Sequence, residues 1–316
     1  MCDDPPVDSS DRIVVRPAED EDDLDALNAG NPVWMSEELL RDSVAAAAED
    51  VPIGVFMATL DGAPAGFATA TGAGVCDGHR GGGYLFVRPE FRRNGIGGRL
   101  WRSILEVCSP ERLPGVLLQM DADDQESRSV ALAHGLRAGN LHLESRLDLA
   151  SAQMLEVLAT ADVDGVSIRP FGSEVGEGEW RTFGDLFNRL LLDTPDQSGG
   201  ADPVPLPVLR SLLSEPWQVM GAWQGSEMVG FTSVMVRNRS RRRLNTFLTA
   251  IEREYRGRGL STVLKARHAV ALRDAGWASI ITHNVDGNAP ILASNRRLGF
   301  HYSGGVLDVL YDHPAT

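Results

Sequence analysis

Two short stretches hold the residue types that could do chemistry. EFRRNGIGGRLW (90–101) and EYRGRGLSTVLK (254–265) each set an acid, an aromatic, arginine and small residues ahead of an apolar pattern of helical period. A strand that ends in such a loop and runs at once into a helix presents several backbone N–H groups in one direction, and the helix dipole adds roughly half a positive charge there. Glycine lets an oxygen approach the main chain with no side chain in the way, and the arginines add donors. Anion binding is the chemistry this predicts. A single loop of this kind reads more readily as a solvated tight turn, but repetition in matched context favours the anion. GxxxxGK[ST] is absent from both, and NGIGGRL (94–100) matches GxGxxG only in part and follows a fourth strand rather than a first.

The repetition keeps a register. Arg92 and Arg256, Gly95 and Gly259, and Ile96 and Leu260 are each 164 residues apart, as are Gly135-Leu136 and Gly299-Phe300, and Gly66-Phe67 and Gly230-Phe231. Nearer the start, Arg16-Pro17 pairs with Arg169-Pro170 at 153, so the second copy holds extra residues. They are expected in DTPDQSGGADPVPLP (193–207), rich in Pro, Gly and Asp. A repeat of this length divides the chain into domains at 12–149 and 165–316, after an extended or disordered 1–11. Between them lies a connector, 150–164, in which Met154, Leu155, Leu158 and Ala159 fall at helical spacing and predict a packed segment.

The elements that must position the loops read alike in both halves. A strand (IVVRP; VSIRP) leads to a helical region, then to a hairpin turning at Asp61-Gly62 or Gln224-Gly225, then to a strand (GGYLFV; LNTFLTAI) that enters the loop. A helix follows, with Ile96, Leu100, Ile104 and Val107 or Leu260, Val263, Leu264 and Ala271 on its apolar face. An apolar strand (GVLLQM; ASIITH), a second helix and a closing strand (LHLESRLDL; SGGVLDVLY) complete each half. Hairpins mixed with strand–helix alternation exclude a purely parallel sheet, so the fold class is α/β of the mixed α+β kind.

Composition narrows the function. The 316 residues, 43% hydrophobic and 23% charged, suffice for two buried cores. No apolar run reaches the roughly 18 residues of a membrane span and the start MCDDPPVDSSDR is acidic, so no membrane association and a cytoplasmic location are expected. Cys2, Cys76 and Cys108 suggest neither a disulfide framework nor a zinc cluster, and no metal is expected. The net charge of −14 argues against nucleic acid and mildly favours cationic small molecules. Lys265 is the only lysine beside 29 arginines, which reads as coding bias.

V-x-P-E-F-R-x-N-G-I-G at 87–97 and I-x-x-E-Y-R-G-R-G-L-S at 251–261 resemble the acyl-CoA pyrophosphate loop, [RQ]-x-x-G-x-[GAS], of the GNAT superfamily of N-acyltransferases, and THNVDGNAPILASNRRLGF (282–300) resembles that family's second cofactor-binding segment. The resemblance covers nearly the whole chain as a tandem pair. It implies two GNAT-like domains, each a mixed, largely antiparallel twisted sheet flanked by helices. It further implies acetyl-CoA or another acyl-CoA as cofactor, and direct attack of a small-molecule primary amine on the thioester. The residues it assigns to the cofactor are Arg92, Arg93, Asn94, Gly95, Ile96 and Gly97 in the first copy and Arg256, Gly257, Arg258, Gly259, Leu260 and Ser261 in the second. The splayed backbone that would receive the oxyanion is expected at Phe86, Val87 and Arg88 and at Thr249, Ala250 and Ile251.

An amine of pKa about 10.4 must lose a proton before attack, and a thiolate of reference pKa about 8.5 gains from a donor as it leaves. The position where many family members place a tyrosine acid is Ala131 in the first copy and Asn295 in the second. The asparagine that commonly holds the pantetheine is Asn288 in the second copy and Asp124 in the first. The second domain is therefore expected to catalyse, with Asn295 donating to the sulfur and a proton coming from water or Tyr302. The first is expected to be degenerate while still able to bind CoA. Asn288 and Asn295 also read as helix caps or decoration, though asparagine is mildly unfavourable inside a helix.

No carboxylate stands out as a base: Glu252 reads as an ion-pair partner of the loop and His283 as a structural histidine. RNRSRRRL (237–244) reads as a solvated arginine turn, GHRGGG (78–83) as a flexible one, and Trp217, Trp223 and Trp277 as core. The rival function is a non-catalytic acyl-CoA-binding or sensing protein. The expected partner is a small-molecule amine, of polyamine, aminoglycoside-like or amino-acid-derived type, with a cationic one favoured, acting on a monomer or homodimer.

Overall fold

The computed structural model describes residues 12–19, 22, 53–151, 154–163, 165–171 and 175–314. The N-terminal 1–11, Cys2 and nearly all of the expected helical region after the first strand lie outside the described residues. The chain forms two compact units, one of residues up to Gln119 together with those from Leu310 onward, the other of Met120–Val309.

In the first unit, β1 (Ile13–Pro17), β2 (Ile53–Leu60), β3 (Ala63–Cys76), β4 (Arg80–Val87) and β5 (Gly115–Asp121) lie side by side in that order. Pairing is antiparallel as far as β4 and parallel between β4 and β5. Asp61 and Gly62 both have positive φ, 51° and 79°, which gives the turn the twist a two-residue hairpin needs. Helix α1 (Ile96–Val107) buries Ile96, Leu100 and Ile104 against Ala58, Ala68 and Ala70, small residues that let the helix lie close to the sheet. The glycines of GHRGGG serve the same packing. A Cβ on Gly81 would stand 2.6 Å from Cys108 Sγ and 2.7 Å from the Thr71 carbonyl oxygen, so this run is a close-approach surface rather than merely a flexible turn.

The second unit adds α2 (Gln125–Ala133), β6 (Arg137–Asp148), α3 (Met154–Ala159), β7 (Ser167–Pro170), α4 (Glu177–Leu191), α5 (Leu206–Leu212), β8 (Val219–Gln224), β9 (Glu227–Asn238), β10 (Arg243–Ile251), α6 (Leu260–Asp274), β11 (Ser279–Val285), α7 (Ala289–Leu298) and β12 (His301–Asp312), which belongs here through Val309. Its strands run in the order β12, β6, β11, β10, β9, β8, β7. One face packs against α4 and α5 through Phe183, Phe187, Leu209 and Phe231, and the other packs against α6 through Val234, Leu244, Ala266 and Ile280.

The units do not divide where the sequence repeat does. β6, written as the closing strand of the first half, pairs antiparallel with β11 from His142↔Val285 to Asp148↔Ser279. That ladder places 120–149 with the second unit, while the chain from Leu310 joins the first. Helix α6 also departs from its expected single apolar face: Ala271 is exposed, whereas Thr262, Lys265 and His268 are buried. No helix among the described residues is long and apolar enough to cross a membrane.

The connector is packed. Leu155 of α3 is fully buried, Leu158 and Ala159 lie against the same core, and Arg267 of α6 donates to the carbonyls of Ala159 (2.9 Å) and Ala161 (3.0 Å). Met154, by contrast, is 51% exposed. Leu155→Ala is expected to lower unfolding free energy by about 2–5 kcal/mol and Met154→Ala by less than about 0.5 kcal/mol, as read from urea denaturation; equal effects would mean that the connector is not held by packing.

Candidate active site

The two arginine–glycine loops have one backbone. Each begins with a 3-10 turn, Pro89–Phe91 or Arg253–Tyr255, and continues through an extended Arg92 or Arg256. The guanidinium Nε of that arginine donates to a carbonyl five residues back, Arg92 to Val87 (3.3 Å) and Arg256 to Ile251 (2.7 Å), which ties the loop to the strand it leaves. Positive φ then falls at Arg93 (64°) and Gly95 (82°) in one copy and at Gly257 (77°) and Gly259 (79°) in the other. Arg93 holds a conformation that glycine adopts more easily. Gly95 and Gly259 are the N-caps of α1 and α6 and offer no capping side chain, so the first-turn amides of both helices point outward uncapped. A Cβ on Gly257 or Gly259 would meet nothing within 4 Å: the space in front of this backbone is open.

Only the second loop carries an acid from the 193–207 segment. Arg253 and Arg256 both bind Asp193, with Arg256 Nη2 at 2.5 Å, and these hydrogen bonds hold the Asp193 carboxyl far below the usual carboxylate range. Glu252 pairs with Arg189 and so is an ion-pair partner, though of α4 rather than of the loop.

Behind the loops the parallel strands part. β4 and β5 pair only over Gly81–Gly83 with Val116–Leu118, and β10 and β11 only over Arg243–Asn245 with Ser279–Ile281. Phe86 and Val87, and Thr249, Ala250 and Ile251, therefore lie beyond the last β5 or β11 partner while pairing regularly on their other edge. The irregularity of the second copy sits two residues earlier than expected. Val234 faces Thr246 and Ser233 faces Leu248, so Phe247 is an extra residue with no partner on β9. The ladder between β3 and β4 has no such step from Gly66↔Val87 to Thr71↔Gly82. Ser233 Oγ accepts from the neighbouring Leu248 amide at 3.3 Å, on the β9 side of the bulge.

On the α6 side of the gap is a buried polar chain. Lys265 Nζ donates to Asn295 Oδ1 (2.8 Å), and Asn295 Nδ2 donates to Asn284 Oδ1 (2.8 Å). Asn295 is 2% exposed and both ends of its amide are engaged within the protein, which differs from the expected side chain facing the thioester. Burial pushes the Lys265 amine down to about 7 and the His268 imidazole, bonded through Nε2 to the Trp217 carbonyl, down to about 4. Both line a cavity with room for about one water, together with Thr232 and Thr246. Asn288 is the N-cap of α7 and makes no capping hydrogen bond, whereas Asp124, its counterpart, caps α2 by accepting from the Ser127 amide (2.9 Å).

The opposite face of the gap joins His283, read from the sequence as structural, to residues that the sequence did not single out. Glu144 of β6 faces His283 of β11 and accepts from its Nε2 (3.1 Å), from Arg237 (3.2 Å) and from Ser303 (2.9 Å). Burial alone would raise the Glu144 pKa, but these partners outweigh it and hold it at about 2. His142 and Asp308 form a second, buried pair at 2.8 Å; burial works against the imidazolium there, yet the bond and charge of Asp308 leave its pKa raised. Glu144 and Asp308 are themselves 164 residues apart, an acid in the middle of each apolar closing strand, and that was the signal available in the sequence.

Comparison with known proteins agrees with this architecture. Residues 21–136 match the model of the acetyltransferase (GNAT) family. The chain is 27% identical over 259 residues to a mycothiol acetyltransferase of Thermomonospora curvata, covering 80% of each, and 26% identical over 222 residues to that of Segniliparus rotundus, covering 68% of this chain and 78% of the relative. Among solved structures, a tandem GNAT protein from the clavulanic acid biosynthesis pathway superposes with a TM-score of 0.65 at 19% identity, covering 96% of this chain and all of that one. A GCN5-related N-acetyltransferase from Sphaerobacter thermophilus gives 0.64 at 16% identity over 97% and 98%.

The buried amine sets a pH dependence. Lys265 has its folded pKa lowered from 10.5 to about 7, so between these values the unfolded chain binds more protons and stability rises with pH. Relative to Lys265→Met, the wild-type protein is expected to gain up to about 1.4 kcal/mol per pH unit across that window, measured by denaturant melts at pH 7, 8.5 and 10. A constant difference would place the amine in contact with water.

Proposed function

The chain is a two-domain member of the acetyltransferase (GNAT) family, an acetyl-CoA-dependent N-acetyltransferase, and from that premise we propose that the second repeat carries the reaction. The observation that supports this most is the bulge at Phe247: of the two otherwise matched strand–loop–helix units, only this one carries an extra residue in the strand beside the parting edge. The acceptor is a small-molecule primary amine.

The residues present fit the cofactor. The uncapped first turn of α6, with Gly257, Gly259 and Ser261, faces open space suited to a diphosphate, and Arg256 adds charge once Asp193 is displaced. The free edge of β10 from Thr249 to Ile251 suits an extended amide-bearing arm, with Asn288 as a further donor. Bound acetyl-CoA supplies an electrophilic thioester carbonyl and a thiolate leaving group. In the first repeat, Arg92, Arg93, Asn94, Gly95, Ile96 and Gly97 form the same cradle, which we assign a binding role without chemistry.

We assign the oxyanion to a backbone amide of the bulge at Phe247. His283 lies two residues beyond Ile281, as Phe247 lies two beyond Asn245, where β10 and β11 have parted. Glu144 fixes the imidazole through Nε2, which holds the ring as the candidate base beside the gap. Asn295 acts here as a positioning residue, tying Lys265 to Asn284 beneath the gap.

Arg256→Glu is expected to raise the KM for acetyl-CoA by about tenfold or more, with Arg92→Glu changing it by less than about twofold; the reverse pattern would move the reaction to the first repeat. His283→Gln is expected to lower kcat by about 10² or more; an unchanged kcat would rule His283 out as the base.

A further inference from the structure

Three of the six buried side-chain polar atoms that lack a hydrogen-bond partner among the described residues fall at one place: Arg146 Nε, Asn245 Oδ1 and Ser279 Oγ. Asn245, Ile281 and Arg146 are cross-strand partners in one row over β10, β11 and β6, and Arg243, Ser279 and Asp148 form the row two residues away. Side chains two apart on a strand share a face. Arg146, Arg243, Asn245 and Ser279 therefore lie on the face that also bears Glu144 and His283. Asn245 is 9% exposed and Ser279 is fully buried, so their unpaired oxygens are not satisfied by solvent.

Charge sharpens the anomaly. Arg243 is partly desolvated and lies within the field of Arg146, Arg241 and Arg237, which together depress its pKa, while Glu144 is the acid that opposes them. Glu144 is already shared by Arg237, His283 and Ser303. Among the described residues neither Arg146 nor Arg243 makes an ion pair. A chain of net charge −14 thus gathers uncompensated cations and orphaned polar atoms on one patch of sheet, at a cost that folding alone gives no reason to bear.

We propose that this patch is the acceptor subsite, and that the amine it takes carries an anionic group, a carboxylate or a phosphate, a few atoms from the nitrogen. The proposal rests on the reading of the second repeat as the catalytic one. Arg146 and Arg243, both partly exposed, hold the anion, a pairing of guanidinium with oxyanion that gains strength where water is scarce. Asn245 Oδ1 accepts an N–H from the amine. Asn245 precedes the bulge at Phe247 by two residues, about 7 Å along a strand, so the nitrogen is delivered toward the parting strands. The local field thereby reverses what net charge alone suggests, a cationic acceptor.

The test compares matched amines with acetyl-CoA: β-alanine against β-alaninamide, O-phosphoethanolamine against ethanolamine, and putrescine. The favoured anionic amine is expected to exceed its neutral analogue by about thirtyfold or more in kcat/KM, and the better of the two anionic amines separates carboxylate from phosphate. Arg243→Gln is expected to bring the ratio to about one, and Arg146→Lys, which keeps the charge but loses the Nε donor, to reduce it severalfold. Circular dichroism melts of both variants exclude misfolding. Neutral amines or putrescine turned over as well as the anionic ones would overturn the proposal and leave the transferase reading standing. Calorimetric titration of the wild type and Arg243→Gln with N-acetyl-β-alanine and with inorganic phosphate gives the converse: binding that Arg243→Gln abolishes, without turnover of any amine, supports the anion site and removes the transferase reading, and no binding together with no turnover removes both.

Discussion

A backbone ladder that stops is the constraint on which the second repeat is built. β10 and β11 share hydrogen bonds over Arg243–Asn245 and Ser279–Ile281 and then separate, although both strands continue. Every residue past that point keeps polar groups on an edge with no strand beside it, and such groups need partners. On its other side β10 stays paired with β9 through Ile251. The edge that β11 leaves is what an extended, amide-bearing ligand can complete.

The same loop written twice shows how little of a site resides in its most recognisable motif. Both copies tie the arginine to the preceding strand, reach positive φ at the same two positions and open the helix on an uncapped glycine. The differences lie around them. Asp193 reaches the second loop, the bulge displaces Phe247, Asn288 leaves its helix start uncapped while Asp124 caps its own, and Glu144 comes from a strand that the sequence assigns to the other half. An anion cradle is cheap to build from local geometry, whereas a reaction centre draws on distant strands.

That distinction also separates what was legible in the sequence from what was not. The loops, the hairpin at Asp61-Gly62, the starts of α1 and α6 and the packed connector are local, fixed by glycine conformations and by a 3.6-residue period, and the structure places them within a residue or two. The bulge was invisible because it inserts nothing: the copies align without a gap from Gly66 to Gly95 and from Gly230 to Gly259, and the extra residue arises from a shift in register against β9. The pairing of β6 with β11 is nonlocal and leaves no local mark. Ala271 was misplaced because α6 is covered on more than one side, which blurs the single apolar stripe that periodicity detects.

The solitary lysine has a consequence for the protein's own chemistry. With 29 arginines and one lysine, and with that lysine's amine sealed beneath Asn295 and the Phe300 ring, the surface offers acyl donors no lysine nucleophile at all. Guanidinium groups stay charged and do not attack thioesters near neutral pH. A catalyst that concentrates an activated acyl group at its surface is in this way spared from modifying its own side-chain amines, and from the slow self-inactivation that such labelling brings.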